Sequence, residues 1–404
     1  MIKEQSNNIS DRINFIKNLL NQKMLDCMID LDSGCTENFE NKNLISDCRE
    51  LLNKKTLDFN KLIKNIGGKL LYIKSGTTGH TFKGIIYDND NETEIMNYAV
   101  KVVAYPIRDN YGNIADTKRP ENAELMMIKL LSYFVINEQT PHLLLPIGTF
   151  YTKIKPFIEL AKNKIIVNKK YDQFVKRYKQ NEYYKEVSIL MTEWANGGDL
   201  LDYFRNNYKT MKLLTWKIIF FQLISVLCII QNKYPDFRHN DLKANNILVQ
   251  KIDLETTKKN FLYKIKDSNN NYHNFCIPNI GIQIKICDFD FACVPNIVEN
   301  SKVSSEWTDQ INVKPQRNKY YDLHYFFNTF THKGFFPEFW QAKEIHKSIK
   351  QFVKDIIPDK YSTYDEKKKD NLITEKGRIL VDDEYTTPEK ILINHEFFER
   401  MKEK

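Results

Sequence analysis

The chain has 404 residues, of which 42% are hydrophobic and 13% aromatic, enough for a sizeable core and incompatible with a wholly disordered polymer. Its 13 glycines and 12 prolines exclude collagen-like and low-complexity classes. Lys and Arg outnumber Asp and Glu by 60 to 52, a net +8, which suits phosphate-bearing or anionic ligands without demanding nucleic acid.

The opening MIKEQSNNISDR is polar where a signal peptide would be apolar, so a cytoplasmic, non-secreted protein is expected. Seven cysteines, an odd number, fit reduced thiols, and Cys27, Cys35 and Cys48 show no CxxC zinc spacing. Residues 1–65 read as a helical, polar extension. Ser10-Asp11 looks like a helix start, with Ile13, Ile16, Leu19 and Leu20 at helical spacing, and Cys48–Leu52 begins a second such stretch. Packing on the main domain is the favoured role, and engagement of a partner is the alternative.

From about residue 66 short strands take over. Leu70–Ile73, a turn through Gly76 and Gly79, and Phe82–Ile86 read as strand, glycine turn, strand. Tyr98–Val103 is an apolar strand with one lysine, Lys101, and residues 121–136 carry helix periodicity. Glu186–Thr192 is a further strand. After Gly197-Gly198-Asp199 the chain turns mainly helical, and the greasy run Ile218–Ile230 is too short to span a bilayer and reads as a buried helix. Strands before helices suggest one α+β enzyme with two lobes. Residues 104–120, 151–185 and 251–281 look like insertions, the last with a hairpin tip near Lys266–Asn271. The Lys/Tyr alternation of 169–185 admits a nucleic-acid reading, but a solvated amphipathic helix is the favoured one, so no nucleic-acid partner is expected.

The chemistry concentrates at four places. Gly76-x-x-Gly79 lets backbone N–H groups approach an anion, a weak signal taken alone. Lys101 among Ala99, Val100, Val102 and Val103 either snorkels out at an edge or meets a carboxylate and a phosphate. Glu124 is the first candidate partner and Glu121 the second. The segment Phe237–Val249 sets His239, Asp241, Lys243 and Asn246 between a buried helix and an apolar strand. There Asp241 can accept a hydroxyl proton, Lys243 can hold a transferring phosphoryl group, and Asn246 offers a hard amide oxygen to Mg²⁺. Finally, Ile284–Cys287 is an apolar strand that ends in Asp288-Phe289-Asp290, placing a carboxylate at a strand terminus.

In that order the motifs resemble those of eukaryotic-type protein kinases over roughly residues 66–404. The resemblance implies a bilobal protein-kinase-like fold, with an N-lobe at about 66–195 and a C-lobe at about 196–404, and an enzyme that uses ATP with Mg²⁺, or Mn²⁺ in its place. It matches Ile73–Thr81, with Gly76, Thr77, Thr78 and Gly79, to the glycine-rich loop. Lys101 corresponds to the ATP lysine and Glu124 to its helix partner. Thr192 falls at the gatekeeper position, Glu193 and Ala195 in the adenine hinge, and Asp199 at the ribose. Asp241 and Lys243 fall in the catalytic loop, Asn246 and Asp288 at the metal, and Asp322 at the buried aspartate that supports the loop. ATP would sit between the lobes, and protein Ser/Thr hydroxyls would be phosphorylated. Lys243 favours Ser/Thr over Tyr, and dual specificity stays open.

Lys74 replaces the first glycine, Asn240 the usual Arg before the catalytic Asp, and Asp290 the Gly of the metal triplet. The combination HNDLKANNIL with DFDF and NKYYDLHYFFNTF is similar to the poxvirus serine/threonine kinase family of large DNA viruses, and that resemblance implies a viral enzyme in host cytoplasm or virion, with virion assembly as a role it allows. Asn240 cannot pair with a phosphate, so activity without activation-segment phosphorylation is expected, although Ser301, Ser304, Ser305 and Thr308 are potential acceptors. Asp290 would either stiffen its loop or add a metal or substrate contact. A choline- or aminoglycoside-type small-molecule kinase and a pseudokinase scaffold are the rival readings.

Overall fold

The computed structural model describes residues 9–21, 52, 56–66, 69–76, 79–87, 94–108, 111–162, 166–255, 259–303, 305–330, 332, 335–362 and 372–403. Thr77, Thr78, Ser304, Cys27, Cys35, Cys48 and most of the second expected helical stretch lie outside them. The chain divides into two compact units: Met1–Tyr133 with Leu144–Trp194, and Phe134–Leu143 with Ala195–Lys404. Two features differ from the boundaries read off the sequence. The amino-terminal extension clusters with the first unit, and residues 134–143 cluster with the second. The second assignment follows from specific contacts: the Phe134 ring meets Tyr234 edge-on at 5.8 Å, and the buried His142 imidazole bonds the Ile284 carbonyl and the Tyr263 hydroxyl at 3.0 and 2.7 Å.

The first unit is built on β1 (Lys69–Ser75), β2 (His80–Tyr87), β3 (Glu94–Pro106), β4 (Pro146–Lys153) and β5 (Tyr183–Glu193). These form one sheet in the order β1-β2-β3-β5-β4 with every neighbour antiparallel. Strand alternation puts Val100 and Val102 on a buried face and Ala99 and Lys101 on the other. Around the sheet lie α1 (Ile9–Asn21), α2 (Phe59–Ile66), α3 (Pro120–Ile136), α4 (Lys155–Lys162) and α5 (Lys169–Lys179). α5 occupies most of the Lys/Tyr-rich stretch. Asn168 caps it by accepting from Lys170 and Tyr171 N–H. Tyr171, Phe174 and Val175 face inward, with the first two rings 4.4 and 4.5 Å from His80. Lys169, Lys170, Lys176 and Lys179 face solvent, so the alternation is that of an amphipathic helix. Burial holds His80 down to about 4, hence neutral.

The 104–120 stretch is not a loose loop. Arg119, fully buried, donates to the Gly112 and Pro106 carbonyls at 2.8 and 2.7 Å and stacks between Tyr105 and Tyr111. Asn122 donates to the Ile114 and Asp116 carbonyls. The segment is thereby tied to the start of α3.

The second unit contains α6 (Leu200–Asn207), α7 (Leu213–Lys233), β6 (Ile247–Lys251), the hairpin β7 (Asn260–Lys266) and β8 (Tyr272–Pro278), β9 (Ile282–Ile286), α8 (Glu306–Asp309), α9 (Tyr321–Phe330), α10 (Lys347–Ile356) and α11 (Pro388–Asn394). α7 has the length and apolarity of a membrane span, yet 78% of its apolar window is buried inside the protein. Phe220 packs on Phe327, Phe330 and Phe352, and Phe221 on Tyr263, Phe275 and Phe398. A helix apolar on all sides is what a core helix needs. The expected hairpin in 251–281 is β7–β8, closed by the Asp267 carboxylate, which accepts from Asn269 and Asn271 N–H.

Candidate active site

In the first unit the glycine turn joins β1 to β2, closed by Gly76 N–H donating to Gly79 O at 2.8 Å. A Cβ on Gly79 would lie 2.7 Å from Val102 O and 2.8 Å from Val103 Cγ2, so only glycine lets this end of the turn lie against β3. Ile73 sits at the register shift of β1 and is largely exposed. Thr81 pairs with Lys101, and Ala99 with Thr192. Thr81, Ala99, Lys101 and Thr192 therefore share one face of the sheet.

Lys101 Nζ donates to Glu124 Oε1 at 2.6 Å, and the carboxylate side chain is only 6% exposed. Glu121, the second candidate, pairs instead with Arg119 Nε at 3.1 Å. The lysine on an apolar strand is thus explained by a carboxylate on α3 and does not snorkel at an edge. Glu193 ends β5 with its side chain committed elsewhere. Its carboxylate accepts from Arg12 Nε and Nη2 at 3.0 and 2.5 Å and from Leu145 N–H at 2.8 Å. Its main-chain N–H donates to Leu145 O at 3.1 Å.

In the second unit Ala195 is buried, and Asp199 caps α6, its Oδ1 accepting from Asp202 N–H at 2.9 Å. The two-stranded ladder β6–β9 brings the metal-type residues together. Ile247 pairs with Ile286 at the end where Asn246 precedes β6 and Asp288 follows β9. Cys287 N–H donates to Asn246 O at 3.1 Å. Asn240 and Asp288 both adopt left-handed backbone, φ 62° and 64°, a conformation that Asn and Asp tolerate better than most residues.

The catalytic-type loop hangs from Asp322. This wholly buried carboxylate accepts from His239 N–H and Asn240 N–H at 2.8 and 2.9 Å. Burial raises its pKa, and His239, Arg238 and the two N–H bonds oppose that rise. Arg238 stacks 3.8 Å from the Tyr321 ring and donates to Asn312 O at 2.6 Å. Asp241 then presents both carboxylate oxygens to donors. Oδ2 accepts from Lys243 Nζ at 2.8 Å and Asn246 Nδ2 at 3.0 Å, and Oδ1 accepts from Arg378 Nη2 at 2.5 Å. Among the described residues no cluster of three or more His, Cys, Asp or Glu forms. Asn246 and Asp288 offer one amide and one carboxylate oxygen, a hard donor pair that fits Mg²⁺ when phosphate and water oxygens complete its shell.

The segment after Asp288 is held by hydrogen bonds and by ion pairs, Asp290–Lys302 and Asp309–Lys314 among them. Asn240 Nδ2 donates to Phe291 O and Lys314 O at 3.1 and 3.4 Å. Asp290 pairs with Lys302, whose ammonium lies 4.7 Å over the Phe291 ring. Asn300 Nδ2 donates to Asp290 O at 2.9 Å. Of the readings offered for Asp290, this favours a stiffened loop. Cys293, Val303 and Val313 form a small core beneath, flanked by Phe291 and Ile311. Thr308 is buried, its hydroxyl donating within the segment to Lys302 O and Ser305 O, so it is no accessible acceptor.

Two residues that touch these groups carry no sequence signal. Arg378 lies in an irregular segment without a motif. Arg12 is one charge on a polar helix, and only its burial singles it out.

An antiparallel sheet with a lysine–glutamate pair, together with a loop of Asp241, Lys243 and Asn246 beside Asp288, defines a protein kinase of the α+β class. The family model for the haspin-like kinase domain matches residues 37–320, and the chain belongs to that family. A protein of Acanthamoeba polyphaga mimivirus that bears the name of a serine/threonine-protein kinase, R400, is 48% identical over 394 residues, covering 96% of this chain and 80% of that protein. A second mimivirus protein so named, R301, is 25% identical over 62% of this chain and 67% of its own length. Serine/threonine-protein kinase 2 of swinepox virus is 34% identical over 34% of this chain and 27% of its own length. The chain is a protein-serine/threonine kinase.

Proposed function

We propose that this kinase moves the γ-phosphate of ATP to protein Ser/Thr hydroxyls with Asp241 as the base. The observation that carries the reading is the arrangement of Asp241, Lys243 and Asn246 next to Asp288. Lys101, fixed by Glu124, binds the α/β-phosphates, and the Gly76–Gly79 turn offers backbone N–H groups to them. Asn246 and Asp288 hold Mg²⁺, which neutralises charge on the phosphates when bound. Lys243 steadies the transferring group, and Asp241 receives the substrate proton. Thr81, Ala99 and Thr192 line the adenine side of the sheet face, with Ile73 beside them. The main chain at Glu193 and Ala195 bonds the base, and Asp199 meets the ribose. With viral relatives in hand, we further propose a viral enzyme of virion assembly that works in the host cytoplasm or is carried into virions. Peptides of this chain in purified particles would test that last part.

The test of the activity is transfer from radiolabelled ATP to a panel of proteins, with choline and an aminoglycoside as competing acceptors. Phosphoserine and phosphothreonine appear with the native chain. Lys101→Met and Asp288→Ala each lower the rate by roughly 10²-fold or more. Label on the small molecules alone, or undiminished transfer by both variants, overturns the reading.

Activity does not wait for activation-segment phosphorylation. Asn240 bonds that segment through a neutral amide, and Asp290 already supplies an anion for Lys302. Protein stripped by phosphatase should phosphorylate substrate as fast as untreated protein, measured after the phosphatase is removed. Activity lost on stripping and regained on phosphorylation of Ser301 or Ser305 would refute this.

A further inference from the structure

The catalytic-type loop lacks a cation at position 240, yet one arrives from far along the chain. Arg378 is buried, with 7% of its surface exposed. Its Nη2 donates to Asp241 Oδ1 at 2.5 Å, and its Nη1 donates to the Asn240 carbonyl and, at 3.0 Å, to the Tyr321 hydroxyl. The guanidinium also lies 4.0 Å from the Tyr325 ring. One fork thus spans the backbone of residue 240, the carboxylate of residue 241 and the start of α9.

The segment that carries Arg378 is itself anchored. Thr374 N–H donates to Arg378 O and Arg378 N–H to Thr374 Oγ1, at 2.8 and 3.0 Å. Gly377 O accepts from Asn328 Nδ2 at 3.1 Å, and the His324 ring nitrogen lies 2.9 Å from it. Asn312 Nδ2 donates to the carbonyl of the fully buried Ile379 at 3.0 Å. A planar donor fork on a fixed support loses little freedom in making its bonds.

The two oxygens of Asp241 are therefore not equivalent. Oδ1 faces a buried, rigidly held guanidinium. Oδ2 accepts from Asn246 Nδ2 at 3.0 Å, and its other donor is Lys243, whose side chain is 26% exposed and sits on a flexible stem, so one lone pair there can be vacated. We propose that Arg378 is a positioning residue for the base: it immobilises Asp241 through Oδ1 and so assigns Oδ2 as the oxygen that takes the substrate proton. The inference rests on Asp241 acting as base. Lys243 leaves Oδ2 for the γ-phosphoryl group. The substrate O–H proton then passes to Oδ2 as the new O–P bond forms and the bond from phosphorus to the ADP oxygen breaks.

The experiment is steady-state kinetics on Arg378→Gln, Arg378→Ala, Asp241→Asn and the double variant Arg378→Gln/Asp241→Asn, using the full chain. Arg378→Gln should lower kcat by about 10²-fold, the loss expected when a reacting group shifts by an ångström, with KM for ATP little changed. Added guanidinium should restore part of the kcat of Arg378→Ala and leave the native enzyme unaffected. In the Asp241→Asn background, Arg378→Gln should have no further effect, because it acts through a base already removed. Native-like kcat in Arg378→Gln overturns the proposal. So does a loss that multiplies with that of Asp241→Asn, which would mark a general structural role. Should Arg378→Gln not fold, Arg378→Lys carries the same comparison with the charge kept and the fork lost. Full activity of Asp241→Asn would instead defeat the base assignment, a result visible without any Arg378 variant.

Discussion

Asp241→Asn should abolish most phosphotransfer while the protein stays folded. A positioned base contributes about 10²- to 10⁴-fold to such a reaction, and an amide cannot take the proton. The substitution is nearly isosteric, but it leaves one acceptor oxygen where the structure uses two. Arg378 and Lys243 approach opposite oxygens, so one of these cations must face an NH₂ group. Asp322 and its bonds to His239 and Asn240 N–H are untouched, which keeps the loop backbone in place. Radiolabel transfer measured beside a thermal melt checks both halves. Activity within tenfold of the native enzyme would remove Asp241 from the chemistry, and a collapsed melt would show that its ion pairs hold the loop together.

The second large effect is on stability and comes from the amino-terminal extension. Arg12→Ala should weaken the first unit by roughly 3–5 kcal/mol, the usual loss when one partner of a buried ion pair is removed. Arg12 and Glu193 side chains are 4% and 3% exposed, so water cannot readily replace the guanidinium. The Leu145 N–H bond would then face a buried carboxylate that has lost its guanidinium. Ile16, wholly buried on the same helix, adds apolar contact that alanine at position 12 does not remove. Thermal unfolding should register the loss, and amide exchange in 9–21 should speed up first if α1 detaches locally. Replacing both Arg12 and Glu193 by methionine should recover much of the stability, because neither charge is then stranded. A melt unchanged by Arg12→Ala would show that the pair contributes nothing net.

These two cases differ in how they could be read before folding. His239–Asn246 is a contiguous segment, and its residue types at fixed spacing already state a chemistry. Lys101 on an apolar run needs an ionic partner for the same local reason, and helix periodicity in 121–136 offers two carboxylates. Periodicity could not choose between them. The choice came from Arg119, whose burial under Tyr105 and Tyr111 claims Glu121 and leaves Glu124 for Lys101. The hydrophobic pattern likewise announced α7 and the strands, since period and apolar content are properties of neighbouring residues. Residues 134–143 were assigned to the wrong neighbourhood by chain order because their partners, Tyr234, Tyr263 and Ile284, lie about a hundred positions or more away.

The kinase class and the strand-then-helix order were legible before folding, because both rest on short-range spacing and on side-chain chemistry fixed at synthesis. Only the tertiary structure decided which cations meet which carboxylates: Arg378 on Asp241, Arg12 on Glu193 and Lys302 on Asp290. An arginine in an irregular segment looks the same in sequence whether it is solvated or buried. What distinguishes the two is the low-dielectric surroundings that folding supplies, where a charge must find an opposite charge or destabilise the fold.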